Sequence, residues 1–351
     1  MNNWEKNVRK VEPYTPGEQP KESGIIKLNT NENPYPPSPK VTEVMKNFDT
    51  DNLRKYPDPG ISILCEAISE RYGVNKNQVF VGVGSDDVIA MSFLAFFNSG
   101  KPVFFPDITY SFYDVWANLY NIPFERKALD KDMHIKKEDY YGENGGIIFP
   151  NPNAPTGLME DLKDVEDIVK NNPDVVVIVD EAYIDFGGVS ALPLVEKYEN
   201  LLVVQTFSKS RSMAGMRIGY AFGSEKLIKY LNDVKYSFNS YTLTNLAIET
   251  GSAAVRDDEY FRKTCESIIS TREAAKVRLK ELGFSFPDSK ANFIFATHKS
   301  AYAGDIFEAL KKKHIYVRYF NKPLIDNYLR ITIGTPEEME RLYEALAEIV
   351  G

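Results

Sequence analysis

The 351-residue sequence predicts an α/β fold: a mostly parallel central sheet with helices on both faces, plus a smaller α+β domain. Three observations carry this. Between Ile61 and Phe222, short all-apolar runs alternate with amphipathic helical segments, and strands buried on both faces belong to parallel sheets. After Ser224 the pattern changes to long helical segments followed by three short strand candidates. The length, at roughly 150 residues per domain, suggests two domains. The expected division is a large domain over 45–240 and a small one combining 1–44 with 241–351.

The elements follow in order. The first forty residues are rich in Pro and Asn, and Pro fixes φ and removes a backbone donor, so they read as extended chain draped over the body. Ile61–Tyr72 reads as an amphipathic helix stopped by Gly73, Gln78–Val83 as a strand and Asp86–Asn98 as a buried helix. Lys101–Phe105 is strand-like and Tyr110–Asn121 helical. A strand at Gly146–Phe149 runs into Asn-Pro-Asn-Ala-Pro-Thr-Gly, and a helix follows at Leu162–Asn171. Asp174–Val179, Leu201–Thr206 and Met216–Phe222 read as further strands. Helical segments fill Glu225–Gly283, with Asp257–Leu282 the longest. Strands are expected at Ala291–Ala296, Ile315–Arg318 and Tyr328–Ile333, with a helix at Tyr302–Lys312 between the first two. Pro336–Val350 closes the chain as a helix with a capping box, Thr335 at the N-cap and Glu338 three residues later.

Composition narrows the function. The net charge of −8 argues against nucleic-acid binding, which needs a basic face to neutralise phosphates. The longest apolar run, Val88–Phe97, is about half the ~20 residues of a membrane span. The N-terminal residues lack the apolar core of a secretory signal. Only Cys65 and Cys265 are present, far apart, which disfavours a disulfide framework and fits a reducing compartment. His134, His298 and His314 lie at no metal-site spacing, so no metal is expected. A cytoplasmic protein acting on small molecules follows.

Ligands of open α/β sheets bind at the carboxyl ends of strands, and four such ends carry notable residues. Gly82-Val83-Gly84-Ser85-Asp86-Asp87 runs from strand to helix, where free N–H groups favour an anion. The third glycine of a dinucleotide fingerprint is absent, and a simple N-cap is the alternative reading. Asp180 closes an apolar strand, where a carboxylate needs a cation or donors; capping the next turn is its plain alternative. Lys209 follows another apolar strand, flanked by Ser208 and Ser210, which suits a desolvated amine able to form a Schiff base, though a single Lys is more often a solvated surface residue. Arg217 brings a second cation eight residues later. The Asn151–Gly157 loop is accounted for by turn chemistry. Together these parts match what a protein supplies to pyridoxal phosphate.

In the order Gly84-Ser85-Asp86, Asn-Pro-Asn-x-Pro-Thr-Gly, Asp180-Glu181-Ala182-Tyr183, Ser208-Lys209 and Arg217, the sequence resembles the fold-type I aminotransferases. Tyr14 in Pro-Tyr-Thr-Pro-Gly, the segment Leu28–Pro34, Arg54–Asp58 and Leu329–Thr335 narrow the resemblance to the histidinol-phosphate aminotransferase family, over essentially the whole chain. The resemblance implies that Lys209 bonds to the cofactor aldehyde, Asp180 pairs with its ring nitrogen and Tyr183 donates to its phenolic oxygen. It gives Ser208, Arg217 and the backbone of Gly84, Ser85 and Asp86 to the phosphate, and Tyr110 to ring stacking. Arg330 and Arg318 would take the substrate's anion; Tyr14 and Tyr56 match substrate-pocket positions, Tyr56 reaching across a homodimer interface to the cofactor phosphate. One position departs: Ala154 stands where the family has an Asn that bonds the phenolic oxygen, so either Asn153 fills the role or Tyr183 acts alone. The implied reaction is ping-pong transfer of an amino group from L-histidinol phosphate to 2-oxoglutarate in histidine biosynthesis. The rivals are a threonine-phosphate decarboxylase, an aromatic or broad-specificity aminotransferase, and a non-catalytic or nucleotide-binding α/β protein.

Overall fold

The computed structural model describes residues 3–351. After an irregular N-terminal arm come β1 (Ile26–Leu28), α1 (Pro39–Asn47), α2 (Ser62–Tyr72) and β2 (Val79–Gly82). Then follow α3 (Ser85–Phe96), β3 (Val103–Pro106), α4 (Phe112–Tyr120), β4 (Phe124–Lys127) and β5 (Gly146–Pro150). The middle of the chain forms α5 (Leu162–Lys170), β6 (Val177–Asp180), β7 (Leu201–Thr206) and β8 (Gly219–Phe222). Three helices, α6 (Glu225–Phe238), α7 (Asn245–Val255) and α8 (Asp258–Glu281), precede β9 (Phe284–Ser285) and β10 (Phe293–His298). The chain ends through α9 (Ala303–Lys312), β11 (Ile315–Tyr319), β12 (Leu329–Thr332) and α10 (Pro336–Val350).

Seven strands form one sheet in the order β2-β8-β7-β6-β5-β3-β4. All neighbours are parallel except β8, which runs antiparallel to both β2 and β7. Successive residues of its strands enter opposite cores. Val177 and Val179 pack with α2, α5 and α7 on one face, while Ile178 packs with α3, α4 and α6 on the other. Burial on both faces is why these strands read as continuous apolar runs, and each such side chain contributes about 1.5–3 kcal/mol. Val41 of α1 and Ala247, Ile248, Ala254 and Val255 of α7 share the first of these cores, so these segments of the expected second domain pack against the large sheet.

Five strands form the second sheet, in the order β1-β11-β12-β10-β9, and its core takes in α8, α9 and α10. Ala154, Tyr183 and Phe186, from loops of the large sheet, are buried in that same core. The capping box of α10 forms with both bonds: Glu338 N–H donates to Thr335 Oγ1 at 3.3 Å and Thr335 N–H to Glu338 Oε2 at 2.8 Å. Four elements lay outside the sequence reading, the two-residue β9 among them. β1 pairs with β11 at a sheet edge, which a Pro-rich arm permits because an edge strand leaves one row of donors unused. β4 is a half-exposed edge strand, Phe-Glu-Arg-Lys, with no apolar run to mark it. α1 starts at a proline, with Ser38 as N-cap accepting from Lys40 N–H; Pro suits the first helical position because its missing N–H would be unpaired there.

Candidate active site

The carboxyl ends of β5, β6 and β7 open into a cleft of about 400 Å³. The large sheet supplies Ser85, Asp86, Tyr110, Asp180, Ser208 and Lys209 to its wall. The second sheet supplies Arg318 and Arg330, and the N-terminal arm closes a side with Tyr14, Thr30 and Asn31.

Asp180 is the last residue of β6, paired in register with Pro150 and Val204, and only 4% exposed. Burial pushes its carboxyl up to about 6, against donation from Tyr113 Oη at 3.0 Å and Ala182 N–H at 3.2 Å. A cation placed against it would be strongly held, because two donors satisfy part of the carboxylate and burial penalises the uncompensated charge. Tyr113 was not among the residues expected from sequence. It is one helical turn beyond Tyr110, and the donors a buried carboxylate demands were the available signal.

Lys209 sits three residues past the end of β7. Its Nζ donates to the Thr30 carbonyl at 3.2 Å and lies 5.8 Å from the centroid of the Tyr183 ring. The backbone around it is pinned to the arm, since Asn33 Nδ2 donates to the Lys209 carbonyl at 3.0 Å.

At the start of α3, backbone and cation come together. Gly84, at φ 86°, leaves room for the Arg217 guanidinium, where a Cβ would meet Nη2 at 2.5 Å. Gly219 of β8 lies under the same turn, and a Cβ there would fall 2.2 Å from Ser85 N and from the Gly84 carbonyl carbon. The two glycines thus set a helix N-terminus, with its unpaired N–H groups, beside a guanidinium. Asp86 links this cradle to the cleft, meeting Arg217 Nη2 at 3.3 Å and accepting from Tyr110 Oη at 2.9 Å.

Arg318 and Arg330 occupy paired positions of β11 and β12, and each guanidinium lies 5.5 Å from the centroid of Phe320. Arg330 Nη2 donates to the Asn29 carbonyl at 3.0 Å, while its Nε is buried without a partner. Burial, together with the neighbouring Arg318, lowers its pKa. Two adjacent cations, one with an unused donor, make this end of the cleft an anion receptor. Tyr14 stacks on Phe112 at 4.2 Å beside it.

Three expected residues stand apart. Gly84 contributes its backbone conformation and does not line the cleft. Asn153 is turned into its own loop, where Nδ2 donates to the Ile108 carbonyl at 3.0 Å and Thr156 Oγ1 at 3.1 Å and Oδ1 accepts from Thr109 at 3.3 Å. All three partners lie in loops flanking the cleft, so the side chain is spent holding them together. Ala154 lines the cleft instead and offers only a methyl group. Tyr56 is 81% exposed, stacked on Tyr241 at 4.5 Å away from this chain's cleft. Beside the Tyr183 hydroxyl the structure sets Asn31, 1% exposed, whose Nδ2 donates to Tyr183 Oη at 2.9 Å. Asn31 lay inside the Leu28–Pro34 motif, without a role that sequence could give it.

The donor set fits pyridoxal 5'-phosphate. The Gly84–Gly219 cradle would hold its phosphate with Ser85 N–H, Ser208 and Arg217, the buried Asp180 its ring nitrogen, and Lys209 its aldehyde. Among the described residues, no group of three or more His, Cys, Asp or Glu is arranged to hold a metal ion.

Comparison with known proteins places the chain. Residues 23–346 match the family described as aminotransferase class I and II. The chain is 52% identical over 344 residues to the histidinol-phosphate aminotransferase of Brachyspira hyodysenteriae, covering 98% of this chain and 97% of that one. It is 50% identical to that of Lactococcus lactis subsp. cremoris over 345 residues, with 98% and 97% covered. The crystal structure of histidinol-phosphate aminotransferase from Sinorhizobium meliloti in complex with pyridoxal-5'-phosphate superposes with a TM-score of 0.85 at 22% identity, over 93% of this chain and 90% of that one. At that identity the likeness speaks for the fold, which is the fold-type I α/β architecture. The near full-length identity to the first two relatives assigns the rest: the chain belongs to the class I and II aminotransferases, within the histidinol-phosphate aminotransferase family.

Proposed function

We propose that this enzyme transfers the amino group of L-histidinol phosphate to 2-oxoglutarate, giving imidazole-acetol phosphate and L-glutamate, in a ping-pong cycle serving histidine biosynthesis. The observation that carries the reading is the pairing of Arg318 with Arg330 across β11 and β12, in the same cleft as Lys209 and Asp180. Two guanidiniums suit a phosphate monoester in one half-reaction and a carboxylate in the other, since the planar fork meets either anion bidentately.

Pyridoxal 5'-phosphate, when bound, supplies the electron sink that stabilises a substrate carbanion. The chain's residues do the rest. Asp180, as carboxylate, keeps a proton on the ring nitrogen, and that pairing offsets the burial which raises its pKa. With the cofactor and substrate bound, Lys209 Nζ would be the base that takes the proton from the substrate Cα and, once protonated, the general acid that gives it up to the neighbouring cofactor carbon. Tyr183 would donate to the phenolic oxygen, Tyr110 would stack on the ring, and Ser208, Arg217 and the α3 N-terminus would hold the phosphate. Tyr14 packs over the substrate.

The enzyme is proposed to work as a cytoplasmic homodimer. Cys65 and Cys265 are unpaired, in keeping with a reducing compartment. The dimer reading rests on the family resemblance; Tyr56 and Tyr241, exposed and stacked on each other, and the exposed Phe238 are side chains on which a partner could pack.

The test is a half-reaction on purified protein loaded with pyridoxal 5'-phosphate. L-Histidinol phosphate without any keto acid should bleach the visible band, and 2-oxoglutarate should restore it. Lys209→Ala should lower turnover by about 10⁴-fold or more, the upper end of the range for a lost acid–base group. A bound cofactor that does not respond would refute the substrate assignment, and carbon dioxide release from threonine phosphate would identify the decarboxylase instead.

A further inference from the structure

We infer that Asn31 is a positioning residue that fixes the Tyr183 hydroxyl as a hydrogen donor into the cleft. The inference rests on the proposed function only in taking an anionic oxygen of the cofactor as the acceptor there.

The direction of each hydrogen follows from the partners. Asn31 backbone N–H has only a hydrogen to give, and it donates to Thr332 Oγ1 at 3.0 Å. The single hydroxyl hydrogen of Thr332 then goes to Asn31 Oδ1, also at 3.0 Å. That contact fixes the amide's orientation, because Oδ1 accepts and Nδ2 does not. Nδ2 is left facing Tyr183 Oη at 2.9 Å, as donor. A phenol oxygen that accepts from one side keeps its own hydrogen for the other, which here is the cleft that Tyr183 lines. Asn292 Nδ2 holds the Asn31 carbonyl at 3.0 Å, so residue 31 is anchored to the second sheet from backbone and side chain alike.

The neighbourhood offers no substitute. Ala154 has no donor, and the Asn153 side chain is consumed by Ile108, Thr109 and Thr156. Residue 31 also sits at φ 54°, in the left-handed region that Asn tolerates and most residues do not. The backbone and the hydrogen-bond chain therefore demand the same residue type.

A directed donor stabilises negative charge on the cofactor's phenolic oxygen. The proton shared between that oxygen and the Lys209 nitrogen is then released at lower pH. The experiment loads the full-length protein and two variants with pyridoxal 5'-phosphate and titrates the visible absorbance against pH. Asn31→Gly accepts the left-handed backbone and deletes the amide; its midpoint should rise by about one unit, a tenfold weaker acid. Asn31→Asp keeps the shape but replaces the donor by an acceptor, which draws the Tyr183 hydrogen away from the cleft, so its midpoint should rise further. A merely structural role ranks the variants the other way, the isosteric Asp being milder than Gly. Thr332→Val, which leaves residue 31 intact and frees its amide to flip, should shift the midpoint upward by less. Midpoints equal to that of the unsubstituted protein, or Asp milder than Gly, would overturn the inference. A lack of any visible band in the unsubstituted protein would overturn the cofactor reading, and this inference with it.

Discussion

Asp180 pairs an electrostatically costly position with the role proposed for it at the ring nitrogen. Its carboxyl is buried and raised to about 6, so the native state binds a proton more tightly than the unfolded chain does. Between the ordinary carboxylate range and about 6, stability of the cofactor-free protein therefore falls as pH rises. Above that window the ionised side chain costs on the order of 3 kcal/mol, the energy of a shift of about two pH units in a fully buried group. Asp180→Asn, which can accept from Ala182 N–H through Oδ1 and donate from Nδ2 to Tyr113 Oη, should stabilise the cofactor-free protein by about 2–3 kcal/mol at neutral pH and abolish turnover. Thermal melts against pH check this: the advantage of the variant should vanish below pH 4 or so, where Asp180 is protonated in the unfolded chain as well as in the native one. Glu181, buried and raised to about 7, contributes a trend of the same sign in both proteins and so cancels from the comparison.

At the scale of elements, the site depends on how closely β8 and the start of α3 approach. Gly219→Ala would put a methyl group 2.2 Å from backbone atoms of Gly84 and Ser85, which have no rotamer to yield. The helix start must move, at a cost of about 1–3 kcal/mol by the usual overpacking penalty. Cofactor affinity should fall by at least about tenfold, the equivalent of one lost charge-assisted hydrogen bond. Gly215→Ala is the control, since a Cβ there meets nothing within 4 Å. Equilibrium dialysis against pyridoxal 5'-phosphate separates the two, and equal affinities would remove the cradle from the argument.

For the whole molecule, the exposed aromatic surface of Tyr56, Phe238 and Tyr241 bears on assembly. Phe238→Glu, on a side chain 74% exposed, should leave the fold of one chain intact and, where the proposed homodimer packs on this face, convert it to monomer. If Tyr56 reaches the partner's cofactor phosphate, monomers should also bind pyridoxal 5'-phosphate more weakly. Sedimentation velocity with a parallel binding titration reads both, and an unchanged sedimentation coefficient would place the interface elsewhere.

Within the chain, the cleft exists because two cores share its walls. Tyr183 follows a strand of the large sheet, yet its ring packs edge-on against Phe293 of β10 at 5.0 Å, in the second core. That sharing marks the limit of sequence reading. The apolar strands β5, β6 and β7, the polar residues at their carboxyl ends and the cap of α10 were legible because each is a local pattern: burial on both faces, a charge where a strand stops, a capping box. Lys209, Asp180 and Arg217 stood out for the same reason. β1, β4 and α1 were not, since an edge strand needs no apolar run and a helix that begins at Pro looks like more of the Pro-rich arm. Asn31, Tyr113 and the true fate of Asn153 were hidden more deeply, because a hydrogen-bonding side chain is chosen by what lies opposite it. For Asn31 that is Thr332, 301 residues away. What depends on neighbours in the chain, the apolar strands and the charged groups at their ends, was readable from the residues alone; which amide, hydroxyl and carboxylate meet was settled by the fold, because those partners come from different sheets.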